Sequence, residues 1–174
     1  MIDCDIRAPG WRQKLPRARA LARKAVTAAL KAAGVATGPK GGQLLELSLV
    51  LADDAFVQEL NRDYRGKDKP TNVLSFPALD DHELEYLRRS APAGPGAARD
   101  LPLGDIILAL ETVETEAQTA GKTMEDHYYH LIVHGLLHLI GYDHQNDVEA
   151  ADMEQLETAI LASVGINDPY AIKE

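Results

Sequence analysis

A chain of 174 residues, 45% apolar and with no uninterrupted apolar run long enough for a membrane-spanning helix, is expected to form one soluble domain over residues 1–174. The lone cysteine, Cys4, excludes an internal disulfide and, with no N-terminal targeting signal, fits a reducing, cytoplasmic setting. The net charge of -9 argues against a nucleic-acid partner, but the nine Lys and Arg from Arg7 to Lys40 meet no acid in that segment, leaving one cationic end that is either a phosphate-facing surface or a solvated helix face.

In chain order, residues 1–7 read as a short edge strand and Pro9-Gly10 as a break. Residues 15–33 set Leu21, Ala25, Ala28 or Ala29, and Ala32 on one stripe, which predicts a helix stopped by Gly34. Residues 44–52 alternate Leu or Val with Glu46 and Ser48 and predict a strand. Asp53 and Asp54 can cap a helix reaching about Asp63, with Phe56, Val57 and Leu60 inward. A cationic turn follows, in which Arg65 and Lys67 flank Gly66, and then a strand over 72–76.

Residues 78–102, rich in Asp, Glu, Ala, Gly and Pro, read as a long excursion with one helical turn near 83–88 and an exposed His82. The near-continuous apolar run 106–110 predicts a central strand, and 111–120 a polar amphipathic helix ended by Gly121. Thr123 with Asp126, and Asn146 with Glu149, mark the starts of two more helices, the last running over 148–164 to Gly165. The succession points to an α+β fold: a small mixed four-stranded sheet packed with about five helices.

The strongest chemical signal is His134-Gly-Leu-Leu-His138-Leu-Ile-Gly-Tyr-Asp-His144. His134 and His138 share one helix face, while ten residues of straight helix would carry His144 roughly 15 Å away. The helix must therefore stop, and Gly141 stands where a left-handed residue closes a helix end. Three imidazoles returned to one point make a metal site whose fourth position is open, the arrangement of catalytic zinc; nickel, cobalt or copper suit the same ligands. A closed structural site, completed by Asp143 or Asp147, is the alternative. His127 and His130 extend the ladder too far for one ion and read as supporting or packing residues. The same offsets occur in the metzincin proteases, but Gly135 replaces their general-base glutamate.

Together with Tyr64-Arg-Gly-Lys-Asp-Lys-Pro-Thr-Asn-Val-Leu-Ser-Phe-Pro77 and Leu103-Gly-Asp-Ile-Ile107, the run from His127 to His144 resembles the YbeY endoribonuclease family over about residues 44–166. The resemblance implies a zincin-like metal helix packed on a small sheet. It implies a zinc-dependent, single-strand-specific endoribonuclease of ribosomal RNA maturation, notably at the 3′ end of small-subunit RNA, and of ribosome quality control. Its partners would be single-stranded and ribosomal RNA, the small ribosomal subunit and its assembly factors. His134, His138 and His144 match the family's metal ligands, and Arg65 its functionally important arginine. Chemically, Arg65 is expected to clamp the scissile phosphate beside the metal, with Lys67 assisting electrostatically and Ser75 lining the cleft. The general base is unassigned, and water and the 2′-hydroxyl are both open as nucleophiles. A metallohydrolase of another substrate class and an assembly adaptor with a structural zinc are the competing readings.

Overall fold

The fold is that of a computed structural model, which describes residues 1–37, 44–89 and 100–171. Four strands, β1 (Ile2–Ile6), β2 (Leu44–Ala52), β3 (Val73–Pro77) and β4 (Asp100–Ala109), form one mixed sheet in the order β1-β2-β4-β3. β1, β2 and β4 are parallel and β3 runs antiparallel on the edge beyond β4. The helices are α1 (Gly10–Lys14), α2 (Ala18–Ala32), α3 (Asp54–Arg65), α4 (Asp81–Arg88), α5 (Leu110–Thr119), α6 (Met124–Leu139) and α7 (Asp147–Ala162).

Strand alternation divides the sheet's two faces. Leu47, Leu49 and Leu51 of β2 and Ile106 and Leu108 of β4 enter the large core beneath α2 and α6. Their neighbours Val50, Ala52, Ile107 and Ala109 enter a smaller core with Val57, Phe56 and Leu60 of α3. Burial on both faces explains why 106–109 reads as an unbroken apolar run. α6 lies centrally, against β3 and β4 beneath it and α2, α5 and α7 beside it.

The element order departs from expectation in two places, giving seven helices among the described residues where about five are expected. Pro9-Gly10 does not break the chain: it opens α1, which buries Trp11 completely and aims its indole N–H at the Ala52 carbonyl 2.8 Å away. The helix expected from Leu15 begins instead at Ala18, and Ala32, placed on its apolar stripe, is exposed. In the acidic excursion, Asp80 and Glu83 form a reciprocal capping box that starts a two-turn α4 rather than a single turn, and Leu87 anchors it in the core. Residues 100–102 of that excursion belong to β4; residues 90–99 lie outside the described residues. His82 is exposed, as expected.

Candidate metal centre

α6 begins where Thr123 accepts a hydrogen bond from the Asp126 N–H, and it ends with Gly141 at φ 92°. There the Tyr142 N–H reaches back to the Leu137 carbonyl at 3.0 Å, closing the helix and reversing the chain. Asp143 holds the returning loop by accepting from the His144 N–H at 2.8 Å and from the Gln145 side chain at 2.6 Å. Asn146 then caps α7 through the N–H groups of Val148 and Glu149. The result brings His134, His138 and His144 together, with one nitrogen of each ring within 4.8 Å of the others.

Each helical imidazole is oriented from behind. Glu157 Oε1 accepts from His134 Nδ1 at 2.6 Å, and the Tyr142 carbonyl accepts from His138 Nδ1 at 3.0 Å. With both Nδ1 atoms committed as donors, both Nε2 atoms present bare lone pairs, and these face one another at 3.1 Å. Two lone pairs so close repel unless a cation lies between them, and ligands of a tetrahedral ion with bonds of about 2.0–2.1 Å sit roughly 3.3 Å apart. The donor set therefore fits a metal. Burial, followed by the neighbouring His134 and His144 rings, pushes the His138 pKa down, which keeps it neutral and ligand-ready.

His130, His134 and Glu157 form a second close group. Its shortest contact, 2.6 Å between His134 and Glu157, is a charge-assisted hydrogen bond and too short for two ligands of one ion. That group serves as support. Glu157 is fully buried, accepts the Tyr170 hydroxyl on its other oxygen, and has His130 Nε2 at 3.6 Å. Burial alone would raise the Glu157 carboxyl; the imidazoles of His130 and His134 and the Tyr170 hydroxyl more than offset it and hold the carboxyl at about 2. Nearer the start of α6, His127 pairs with Glu116 at 2.7 Å, and Glu116 in turn accepts from Asn72 at 2.9 Å, tying the residue just before β3 to α5 and α6. Among the described residues, neither Asp143 nor Asp147 joins the three-histidine group.

The three histidines wall a cleft of about 640 Å³ floored by β3, and Asp143 lines it beside them. Arg65, the last residue of α3, lines it and makes no ion pair among the described residues. Ser75 lines it from β3. Lys67 does not: Gly66 takes a left-handed conformation, φ 66°, and turns the chain so that Lys67 is exposed outside the lining. Gly135, where a metzincin carries glutamate, lies against the sheet. A Cβ there would stand 3.1 Å from Ser75 Oγ on the cleft floor and 3.2 Å from two Ile106 carbons, so the close approach of α6 to β3 and β4 leaves no room for a side chain.

Sequence reasoning did not single out Glu157, Tyr170 or Tyr64. Glu157 left a signal, since it occupies an inward position on α7 shared with Met153, Ile160 and Leu161. Tyr170 reaches the carboxylate from beyond the helix end, which no local pattern reveals.

A histidine group on a helix packed over a small mixed sheet, beside a cleft with an arginine on its wall, has the donors of a metal site. The particular family follows from comparison: the model of the family described as Endoribonuclease YbeY matches residues 9–165, and the chain belongs to that family. It is 53% identical over 169 residues to the Endoribonuclease YbeY of Paramagnetospirillum magneticum, covering 97% of this chain and 94% of the relative. It is 48% identical to that of Sphingopyxis alaskensis over 98% of this chain and 96% of the relative. A solution structure from Thermotoga maritima shares the fold at 20% identity, with a TM-score of 0.51 over 99% of this chain and 100% of that one.

Proposed function

We propose that this chain cleaves unpaired ribosomal RNA during maturation and quality control of the small ribosomal subunit, using one zinc ion held by His134, His138 and His144. Family membership makes it an endoribonuclease; the metal, the substrate and the setting are our reading. The carrying observation is that the three imidazoles and the unpaired Arg65 line one cleft. All-imidazole ligation with an open fourth position suits catalytic zinc, which when bound supplies a Lewis acid for a phosphoryl oxygen or a water.

The chain's own groups supply the rest. Arg65 offers a planar, permanently charged fork to the non-bridging oxygens, where charge develops as the phosphodiester is attacked. Glu157 and the Tyr142 carbonyl hold the two helical ligands in the required tautomer. Ser75 and Thr71 present hydroxyls to phosphate or ribose oxygens from the cleft floor. Lys67, outside the lining, contributes attraction at a distance. The exposed Arg12, Arg17, Arg23, Lys24 and Lys31 of α1, α2 and their junction give the cationic end a surface suited to RNA phosphates beyond the cleft. No helix among the described residues is long and apolar enough to cross a membrane, and a cytoplasmic location beside the ribosome belongs to the same reading.

The test is cleavage of a defined single-stranded RNA by metal-replete protein, with and without chelator, beside Arg65→Ala and His134→Ala. Both variants are expected to lose at least about a hundredfold in rate with the fold retained. Product end groups distinguish water from the 2′-hydroxyl as nucleophile. Activity that persists undiminished in His134→Ala would mark a contaminating nuclease and overturn the proposal.

A further inference from the structure

Tyr64 is 71% exposed, the most exposed aromatic residue among the described ones. It is also held in place. Its ring meets Phe76 of β3 at 5.2 Å between centroids and 65° between planes. An edge contact of this kind steadies a ring without covering both of its faces. Tyr64 and Phe76 line the same cleft as Arg65 and the three histidines. Tyr64 precedes Arg65 on the last turn of α3, so the ring and the guanidinium leave adjacent positions of one helix end.

An exposed aromatic surface that served only folding would gain by turning inward, and the smaller core lies close by, with Phe76 packed against it. No described residue hydrogen-bonds the Tyr64 hydroxyl, so no polar tether holds the ring out. What the arrangement offers is an exposed π-face, braced at one edge, beside a guanidinium with no ion pair among the described residues. Nucleic-acid strands carry both complements, a planar base and an anion, on every residue. A base inside a duplex is already stacked on both sides and cannot lie on such a face without leaving the helix.

We propose that Tyr64, braced by Phe76, is the stacking platform for one unpaired nucleobase of the strand whose phosphate Arg65 holds. This rests on the ribonuclease reading above and adds to it the residue that selects single-stranded substrate. The platform is indifferent to base identity, since every base has a π-face, but it requires that the base be present and free.

The test separates binding from cleavage. Metal-replete wild type, Tyr64→Trp and Tyr64→Leu are titrated with a short single-stranded RNA carrying 2-aminopurine near the scissile bond, and with the same strand annealed to its complement. Wild type and Tyr64→Trp should quench the single strand; Tyr64→Leu should quench little and bind about ten- to hundredfold more weakly, with Arg65 intact. In cleavage assays KM should rise by a similar factor while kcat changes less. Replacing the stacked nucleotide by an abasic one should weaken wild type by that factor and leave Tyr64→Leu unaffected. Equal affinity and equal abasic effects in wild type and Tyr64→Leu would overturn the platform even if both cleave. Quenching by wild type without any cleavage would leave the platform standing and sink the ribonuclease reading instead.

Discussion

Glu157 Oε1 accepts the Nδ1 proton of His134 at 2.6 Å, so a fully buried carboxylate stands directly behind one of the three candidate metal ligands. The contact fixes the imidazole tautomer, leaves Nε2 free to ligate, and makes that nitrogen more basic. Glu157→Gln keeps the shape but removes the charge, and its amide can turn a donor toward Nδ1. Metal affinity should fall about ten- to hundredfold, read by competition with a chromophoric chelator at fixed pH. Tyr170→Phe, which removes only the outer hydrogen bond to the carboxylate, should weaken affinity less than Glu157→Gln does. Equal affinity in all three proteins would show that the carboxylate only fills space.

The same carboxylate gives the fold an acid limb. Glu157 is held at about 2 in the folded chain against an ordinary 4.5, so between those values the unfolded chain binds a proton that the folded chain refuses. Its contribution is therefore fully present above about pH 4.5 and is lost as pH falls toward 2. At roughly 1.4 kcal/mol per unit the effect is on the order of 3 kcal/mol. Urea unfolding of metal-free protein at stepped pH should show stability falling through that window. The fall should be shallower in Glu157→Gln.

Gly135 carries a different kind of constraint. Alanine would gain about 1 kcal/mol of helix propensity, but its Cβ would press on Ser75 Oγ and the β-branched Ile106 at 3.1–3.2 Å. Overpacking of a filled core costs about 1–3 kcal/mol, so the sum should be destabilising. We expect Gly135→Ala to melt a few degrees lower, about 2–4 °C for each net kcal/mol in a chain of this size. Adding Ser75→Ala should recover part of that loss by removing the hydroxyl. Gly135→Glu should fail to fold or fold far less stably, because its longer side chain would press on the same two residues.

Much of this was legible because its causes are local. The alternation of β2, the caps at Asp53, Thr123 and Asn146, and the glycine stop at Gly141 each leave a mark within a few residues. The convergence of three histidines followed from helix geometry and that one stop. α1 was hidden because one turn has no periodicity and Pro9-Gly10 resembles a break; its reason for being is Trp11, whose carbonyl partner lies 41 residues away. α4 was underread because acidic composition masked its capping box. Glu157 looked like any helical acid, and its role depends on α7 packing against α6. Lys67 shows the converse, since two residues from Arg65 in sequence it lies outside the cleft lining once Gly66 turns the chain.

Chelation should separate a catalytic metal from one that holds the fold. His134 and His138 ride on α6, whose Leu131, Ile132, Val133, Leu136, Leu137 and Leu139 are buried in the main core and whose ends are closed by their own hydrogen bonds. That helix does not need an ion to form. His144 is different: it is exposed, on a loop fastened by Asp143 and by the Asn146 cap. Removing the metal should therefore leave far-ultraviolet circular dichroism unchanged and lower the melting temperature only by the linkage term, about 2.7 kcal/mol for metal at a hundred times its Kd. Hydrogen exchange should accelerate over residues 142–147 while α6 and the sheet keep their protection. Global unfolding on chelation would instead identify the ion as a structural element and favour the adaptor reading. A loop that alone loosens would leave His144 as the adjustable member of the three-histidine group.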